Sequence, residues 1–147
     1  MELSDIYSDK ILEIAGKLPE IPRLDAPDAS ARKVSRVCGS IVEVDLNIRN
    51  GIVADYAHDI SACALGQTAS SVVAENIIGA STAELRQLRD EMFAMLKNDG
   101  PPPTGARWQD LKYLEPVRSY TARHASTMLV FEAIVDCLDQ IEKGQGH

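Results

Sequence analysis

Ile41-Val42-Glu43-Val44-Asp45-Leu46-Asn47-Ile48-Arg49-Asn50-Gly51 is the stretch that decides the fold class. Val42, Val44, Leu46 and Ile48 are apolar, and Glu43, Asp45, Asn47 and Arg49 between them are polar. A strict period of two describes a strand with one buried face. Asn50 and Gly51 both tolerate positive φ, so the strand is expected to turn back in a tight hairpin. Ile52 to Ile60 then forms the return strand. A plain two-residue turn would set Asp55 on the face of Leu46, so a bulge is expected that turns Ala54, Tyr56 and His58 inward. The short β-branched segment Val34–Val37 supplies a third strand. The expected sheet is antiparallel, three-stranded and dry on one face.

Helices flank this sheet. Upstream, Tyr7, Ile11, Ile14 and Leu18 recur at helical spacing, predicting a helix from about Ser4 to Ala15 that Gly16 and Pro19 end. Residues 19–30, with Pro19, Pro22 and Pro27, read as an extended surface connection. Downstream of Cys63, small and hydroxyl residues from Ala64 to Ser71 lead into Val72, Val73 and Ile77, and Gly79 stops that helix. Ser81-Thr82-Ala83-Glu84 is a capping box opening a helix with Leu85, Leu88, Met92, Met95 and Leu96 on one face. Asn98 to Pro103 ends it, and a last helix from about Thr121 faces Met128, Phe131, Ile134, Leu138 and Ile141 inward. Strands followed by helices define an α+β fold, with helices packed on one face of the sheet. The 147 residues fit one domain spanning 1–147, with 143–147 as a mobile tail.

The net charge of −7 argues against nucleic acid and anionic membranes as main partners, since both reward clustered Lys and Arg. Arg32, Lys33 and Arg36 just before Cys38, and Arg118 and Arg123 further on, read first as solvated surface charges. No apolar run reaches membrane-span length, and the N-terminus lacks signal-peptide features, so a cytoplasmic chain is expected. Three widely spaced cysteines in a reducing compartment are thiols or metal ligands rather than a disulfide framework.

Candidate chemistry begins with these cysteines. Gly39 lets the chain turn sharply after Cys38 and leaves its thiol exposed. Cys63 lies where the last strand meets a helix, and a thiol near a helix N-terminus has a lowered pKa. Spacing alone matches no compact zinc motif, so ordinary burial is the first reading of both. Cys137 belongs to a helix core face and reads as structural. His58 reads as a packing residue and His147 as terminal, while His124, opening the last helix beside Arg123, stands between a helix-end residue and a ligand. No phosphate loop, nucleophile elbow or paired-histidine motif is present, so an enzyme is not expected.

The order of elements and the cysteine contexts resemble the U-type iron–sulfur cluster scaffold family, represented by IscU, SufU and the N-terminal domain of NifU. Ile6-Tyr7-Ser8-Asp9-Lys10-Ile11 resembles its opening helix, and Cys38-Gly39-Ser40 resembles its Cys-Gly-Asp motif. Cys63-Ala64-Leu65 through Ser70-Ser71 resembles its second cysteine motif. Leu114-Glu115-Pro116-Val117 through Ala122-Arg123-His124-Ala125-Ser126-Thr127-Met128-Leu129 lines up with the segment carrying its third cysteine. The resemblance implies a protein that binds iron or a [2Fe–2S] cluster through Cys38 and Cys63. It implies a cysteine desulfurase and iron–sulfur acceptor proteins as partners, with a homodimer as an option. An alternative is an adaptor without a cluster, or a zinc-bound sulfur acceptor docking to the desulfurase. Ser40 stands where the family has aspartate and Ser126 where it has the third cysteine, and neutral serine is a poor ligand for iron or zinc. His124 is the candidate that would repair the set, with Arg123 supporting the site electrostatically.

Overall fold

A computed structural model describes residues 6–145. The elements run α1 (Asp9–Gly16), β1 (Ala29–Val34), β2 (Ile41–Arg49), β3 (Ile52–Ser61), α2 (Ala64–Asn76), α3 (Thr82–Lys97) and α4 (His124–Gln145). A run of 3-10 turns, Ala106–Ser119, links α3 to α4. The sheet is antiparallel in the order β1-β2-β3. This is the expected α+β architecture. His147 and the residues before Ile6 lie outside the described residues, while residues 143–145 continue α4.

The period-two reading of β2 holds: Val42, Val44 and Leu46 are fully buried and Ile48 nearly so. Asn50 and Gly51 adopt φ 56° and 74°, so the hairpin uses the positive-φ pair the sequence offers. The bulge also holds, but with a different inward set. Asn47 pairs with Asp55 and Ile48 with Val53, which leaves Ala54 as the extra residue. Ala54 is exposed, whereas Val53, Tyr56 and His58 turn to the core. The reason is geometric: one inserted residue moves the inward position from every second to the third residue across the bulge.

Three further expectations are corrected. The first strand is Ala29–Val34, not Val34–Val37, with Ala29 opposite Leu46 and Ala31 opposite Val44. Small alanines fit there because α4 crosses β1 and β2 closely, and residues 35–40 form a turn instead. The first helix begins at Asp9 because the Ser8 hydroxyl, on a residue with extended backbone, accepts from the Ile11 N–H at 3.2 Å as an N-cap. The capping box is half made. Ser81 Oγ accepts from Glu84 N at 3.0 Å, but the Glu84 carboxylate accepts from the buried Trp108 indole N–H at 3.0 Å. Leaving a buried indole N–H unpaired costs more than leaving a near-surface backbone N–H to water, so the carboxylate goes to Trp108.

One continuous core fills the space between sheet and helices, with Leu65, Val73, Leu88, Met92, Leu111 and Phe131 among its members. The 19–28 connection is anchored rather than loose. Arg23 places Nε and a second guanidinium nitrogen each 2.7 Å from the Asp45 carboxylate, which also accepts from the Ser30 hydroxyl at 2.6 Å and the Leu24 N–H at 3.1 Å. Asp45, on the outer face of β2, is thereby buried.

Candidate metal centre

Four residues converge where the β1–β2 turn, the start of α2 and the start of α4 meet. They are Cys38, Ser40, Cys63 and Ser126. The Cys38 sulfur lies 2.9 Å from Ser40 Oγ and 3.6 Å from Ser35 Oγ. Ser40 Oγ also accepts from the Cys63 backbone N–H at 3.4 Å. The Cys63 thiol donates to Ser126 Oγ at 3.8 Å, and Ser126 donates to the Arg123 carbonyl at 3.2 Å. Each oxygen therefore bridges elements that are far apart in sequence.

Local backbone explains the placement. Gly39 has φ +73° and its N–H bonds the Ser35 carbonyl at 2.8 Å, while Ser35 N–H bonds the Ser40 carbonyl at 2.9 Å. That closed turn presents Cys38 to solvent, as the sequence indicated. Cys63 is the N-cap residue of α2, and its side chain makes no cap hydrogen bond, so the thiol remains available. Gly66, one turn into α2, brings the helix against α4. A Cβ there would sit 2.9 Å from Ala62 Cβ and 3.2 Å from the Ser126 carbonyl oxygen.

The electrostatics favour thiolate at Cys38. Partial burial pushes its thiol up, but hydrogen bonds with the Ser40 and Ser35 hydroxyls and the Ser40 backbone outweigh this and bring it down to about 7. Cys137 behaves oppositely. It is fully buried, donates to the Val44 carbonyl at 3.6 Å, and burial pushes it up to about 12. It is structural, as expected.

His124 does open α4, but its ring is directed to other work. It is buried, and its Nε2–H donates to the carbonyls of Val117 and Arg118, 3.0 Å away in each case. Its Nδ1 has no hydrogen-bond partner, and no three His, Cys, Asp or Glu side chains gather among the described residues. The chain thus brings together the two cysteines and the two serines, but not His124. Arg123 supports Ser126 and Thr127 through its carbonyl, at 3.2 and 2.8 Å. Its guanidinium forms no ion pair among the described residues. His58 is a packing residue whose Nε2–H donates to the Pro19 carbonyl and whose Nδ1 accepts from Tyr56 OH, both at 2.9 Å. Ser35 was not singled out from sequence; its only signal is a position three residues before Cys38, where a turn returns it to the sulfur.

The site opens beside an apolar groove of about 440 Å³ whose walls include Val34, Val37, Phe93, Met128 and Leu129. Val37, adjacent to Cys38, is 70% exposed.

Fold and site together define a small α+β protein that carries paired thiols at the ends of its sheet and helices. No family model and no curated protein matches the chain. Among solved structures it is similar to the N-terminal nitrogen-fixing NifU-like protein of Brucella abortus. The identity is 55% over 96% of this chain and 97% of that one, with a TM-score of 0.92. A candidate iron–sulfur cluster assembly scaffold protein of the SUF system, from Fervidobacterium islandicum AW-1, shares the fold at 17% identity and TM-score 0.82, over 93% of this chain and 99% of that one. A hypothetical protein shares it at 18% identity and TM-score 0.78, with the same coverage. The chain belongs to the NifU-like N-terminal family of U-type scaffold proteins.

Proposed function

We propose that this chain is a scaffold or carrier in iron–sulfur cluster assembly, holding iron or a [2Fe–2S] cluster as cargo through Cys38 and Cys63. The observation that carries the reading is the meeting of both thiols at the Ser40–Ser126 hydroxyl pair, with Cys38 drawn toward thiolate. Thiolate is the form that binds iron and accepts sulfur. The donor set fits such cargo in part. Two thiolates are suited to it, whereas neutral hydroxyls at the other two positions are weak donors for iron or zinc. The remaining coordination then comes from a partner protein or a small thiol. Partners consistent with this role are a cysteine desulfurase and iron–sulfur acceptor proteins, docking where Val34, Val37 and Phe93 are exposed next to Cys38. The chain is read as a non-enzymatic carrier working in the cytoplasm; among the described residues no helix is long and apolar enough to cross a membrane.

A second reading is favoured by Ser40 and Ser126 themselves: a cluster-free adaptor or sulfur acceptor that docks to the desulfurase. Visible absorption after anaerobic incubation with ferrous iron, sulfide and reductant separates the two. The scaffold reading expects charge-transfer bands in the wild type that vanish in Cys38→Ala/Cys63→Ala. A folded, colourless wild type supports the adaptor.

A further inference from the structure

We infer that the groove beside Cys38 is a docking site for an acidic, apolar-anchored peptide segment of a partner protein. The segment's apolar residues sit on Phe93, Val34 and Val37, and Lys97 and Arg36 receive its carboxylates. The inference rests on the reading that partners dock at this face and adds the chemistry of what docks; it does not require that the chain carry a cluster.

The apolar half of the argument is shape. Val34 at the end of β1, Val37 in the turn that follows and Phe93 on α3 share the walls of the groove with Met128 and Leu129 of α4. Its volume of about 440 Å³ admits a few side chains rather than a folded face. Val37, Val34 and Phe93 are 70%, 44% and 39% exposed, and large apolar side chains left open together on one face mark an interaction surface. An extended or helical segment that lays apolar anchors into such a groove is a recurring mode of recognition.

Charge selects the segment. The chain has a net charge of −7, and most of its lysines and arginines are neutralised in ion pairs. At the groove the balance is reversed. Its lining carboxylate, Glu132, is already engaged by Arg89 at 3.1 Å, and the Arg89 guanidinium lies 5.5 Å from the Phe93 ring centroid. Lys33 is engaged by Asp136 at 3.3 Å. Lys97, which lines the groove, and exposed Arg36, next to Val37, form no ion pair among the described residues. The groove therefore offers cations without partners on an otherwise acidic chain. Such a site draws carboxylates and turns away a basic segment. A second copy of the chain, an anionic membrane or a nucleic acid would set extended negative charge against the acidic remainder of the surface. A short acidic segment meets only the groove.

The test pans the full, metal-free chain against a random dodecapeptide library and measures the enriched peptides by fluorescence polarisation. Enriched sequences should combine net negative charge with large apolar residues. Phe93→Ser should weaken their binding about tenfold, and Lys97→Glu and Arg36→Glu about threefold to fivefold each. Raising NaCl from about 0.05 M to about 0.5 M should weaken it several-fold. All three side chains are exposed, so the variants should unfold in urea as the wild type does. In amide NMR spectra an enriched peptide should shift Val34, Val37, Phe93 and Lys97. The inference is overturned by a neutral or basic consensus, by no enrichment over a control chain, or by affinities indifferent to Phe93→Ser and Lys97→Glu. Shifts gathered instead at the other groove, around residues 18–23, would overturn it too. So would phosphatidylglycerol vesicles or a second copy of the chain occupying the face in place of the peptide. A wild-type chain that selects acidic peptides but develops no charge-transfer bands with iron and sulfide removes the scaffold reading alone. One that develops the bands without selecting acidic peptides removes this inference alone.

Discussion

At the residue scale, the consequential group is the serine hydroxyl at position 40, 2.9 Å from the Cys38 sulfur. An aspartate beside Cys38 would hold its thiol protonated by like-charge repulsion; a serine donates a hydrogen bond to the sulfur and does the reverse. Cys38 alkylation by iodoacetamide should therefore rise with pH through a midpoint of about 7. Ser40→Ala removes one donor and should move that midpoint upward. A hydrogen bond to a charged group is worth about 1.5–3 kcal/mol, and solvent screening at an exposed thiol reduces it, so the shift expected is about half a unit to one unit. An unchanged profile would mean that Ser40 does not act on the sulfur. Cys38, Cys63, Ser40 and Ser126 were legible from motif contexts, because each sits at a turn or helix start that local sequence specifies. Ser35 was not, because its role arises only when a turn brings its hydroxyl back to Cys38.

At the element scale, the site is held by how closely α2 approaches α4. Gly66 makes that approach feasible, since a Cβ would press on Ala62 and the Ser126 carbonyl. Gly66→Ala should cost about 1–3 kcal/mol by overpacking. It should also weaken metal binding, by moving Cys63 away from Ser126. Gly144→Ala, with nothing within 4 Å, should be neutral or slightly stabilising, which makes it the control in the same denaturation and metal-binding measurements. A Gly66→Ala chain with unchanged stability and affinity would show that the helices yield at no cost. The sheet illustrates the same scale. The Asn50-Gly51 turn and the bulge are local and readable, yet which residue the bulge extrudes, Ala54, follows from the pairing of Asn47 with Asp55 and Ile48 with Val53.

At the scale of the whole molecule, acid should act first through His58. Its ring is locked as the neutral tautomer between Tyr56 OH and the Pro19 carbonyl, and burial holds its pKa below the ordinary 6.5. A depressed folded pKa means that the neutral ring stabilises the fold fully above 6.5, and that this contribution is lost as pH falls toward the folded value. Urea denaturation at pH 5.5 should thus give lower stability than at pH 7.5, and His58→Gln should flatten the difference. A pH-independent midpoint would assign the ring no such role. Asp45 adds a second loss at more acid pH. Its hydrogen bonds from Arg23 hold the carboxyl below the usual 3.8 against opposing burial, with Ser30 and the Leu24 N–H assisting.

The sequence by itself determined the class of the fold, the hairpin, the helical faces and the positions of the two thiols, since these depend on periodicity and on residues with special φ. Tertiary structure decided where the first strand lies. It chose Ala29–Val34 because alanines, not a β-branched run, fit beneath α4. It drew Glu84 from its own helix cap to Trp108, and it buried Asp45, polar by pattern, under Arg23. It also turned His124 into the protein, where two backbone carbonyls needed a donor. Each of these outcomes is a competition for a hydrogen-bond partner or for space between segments far apart in the chain, and local sequence carries no record of which partner wins.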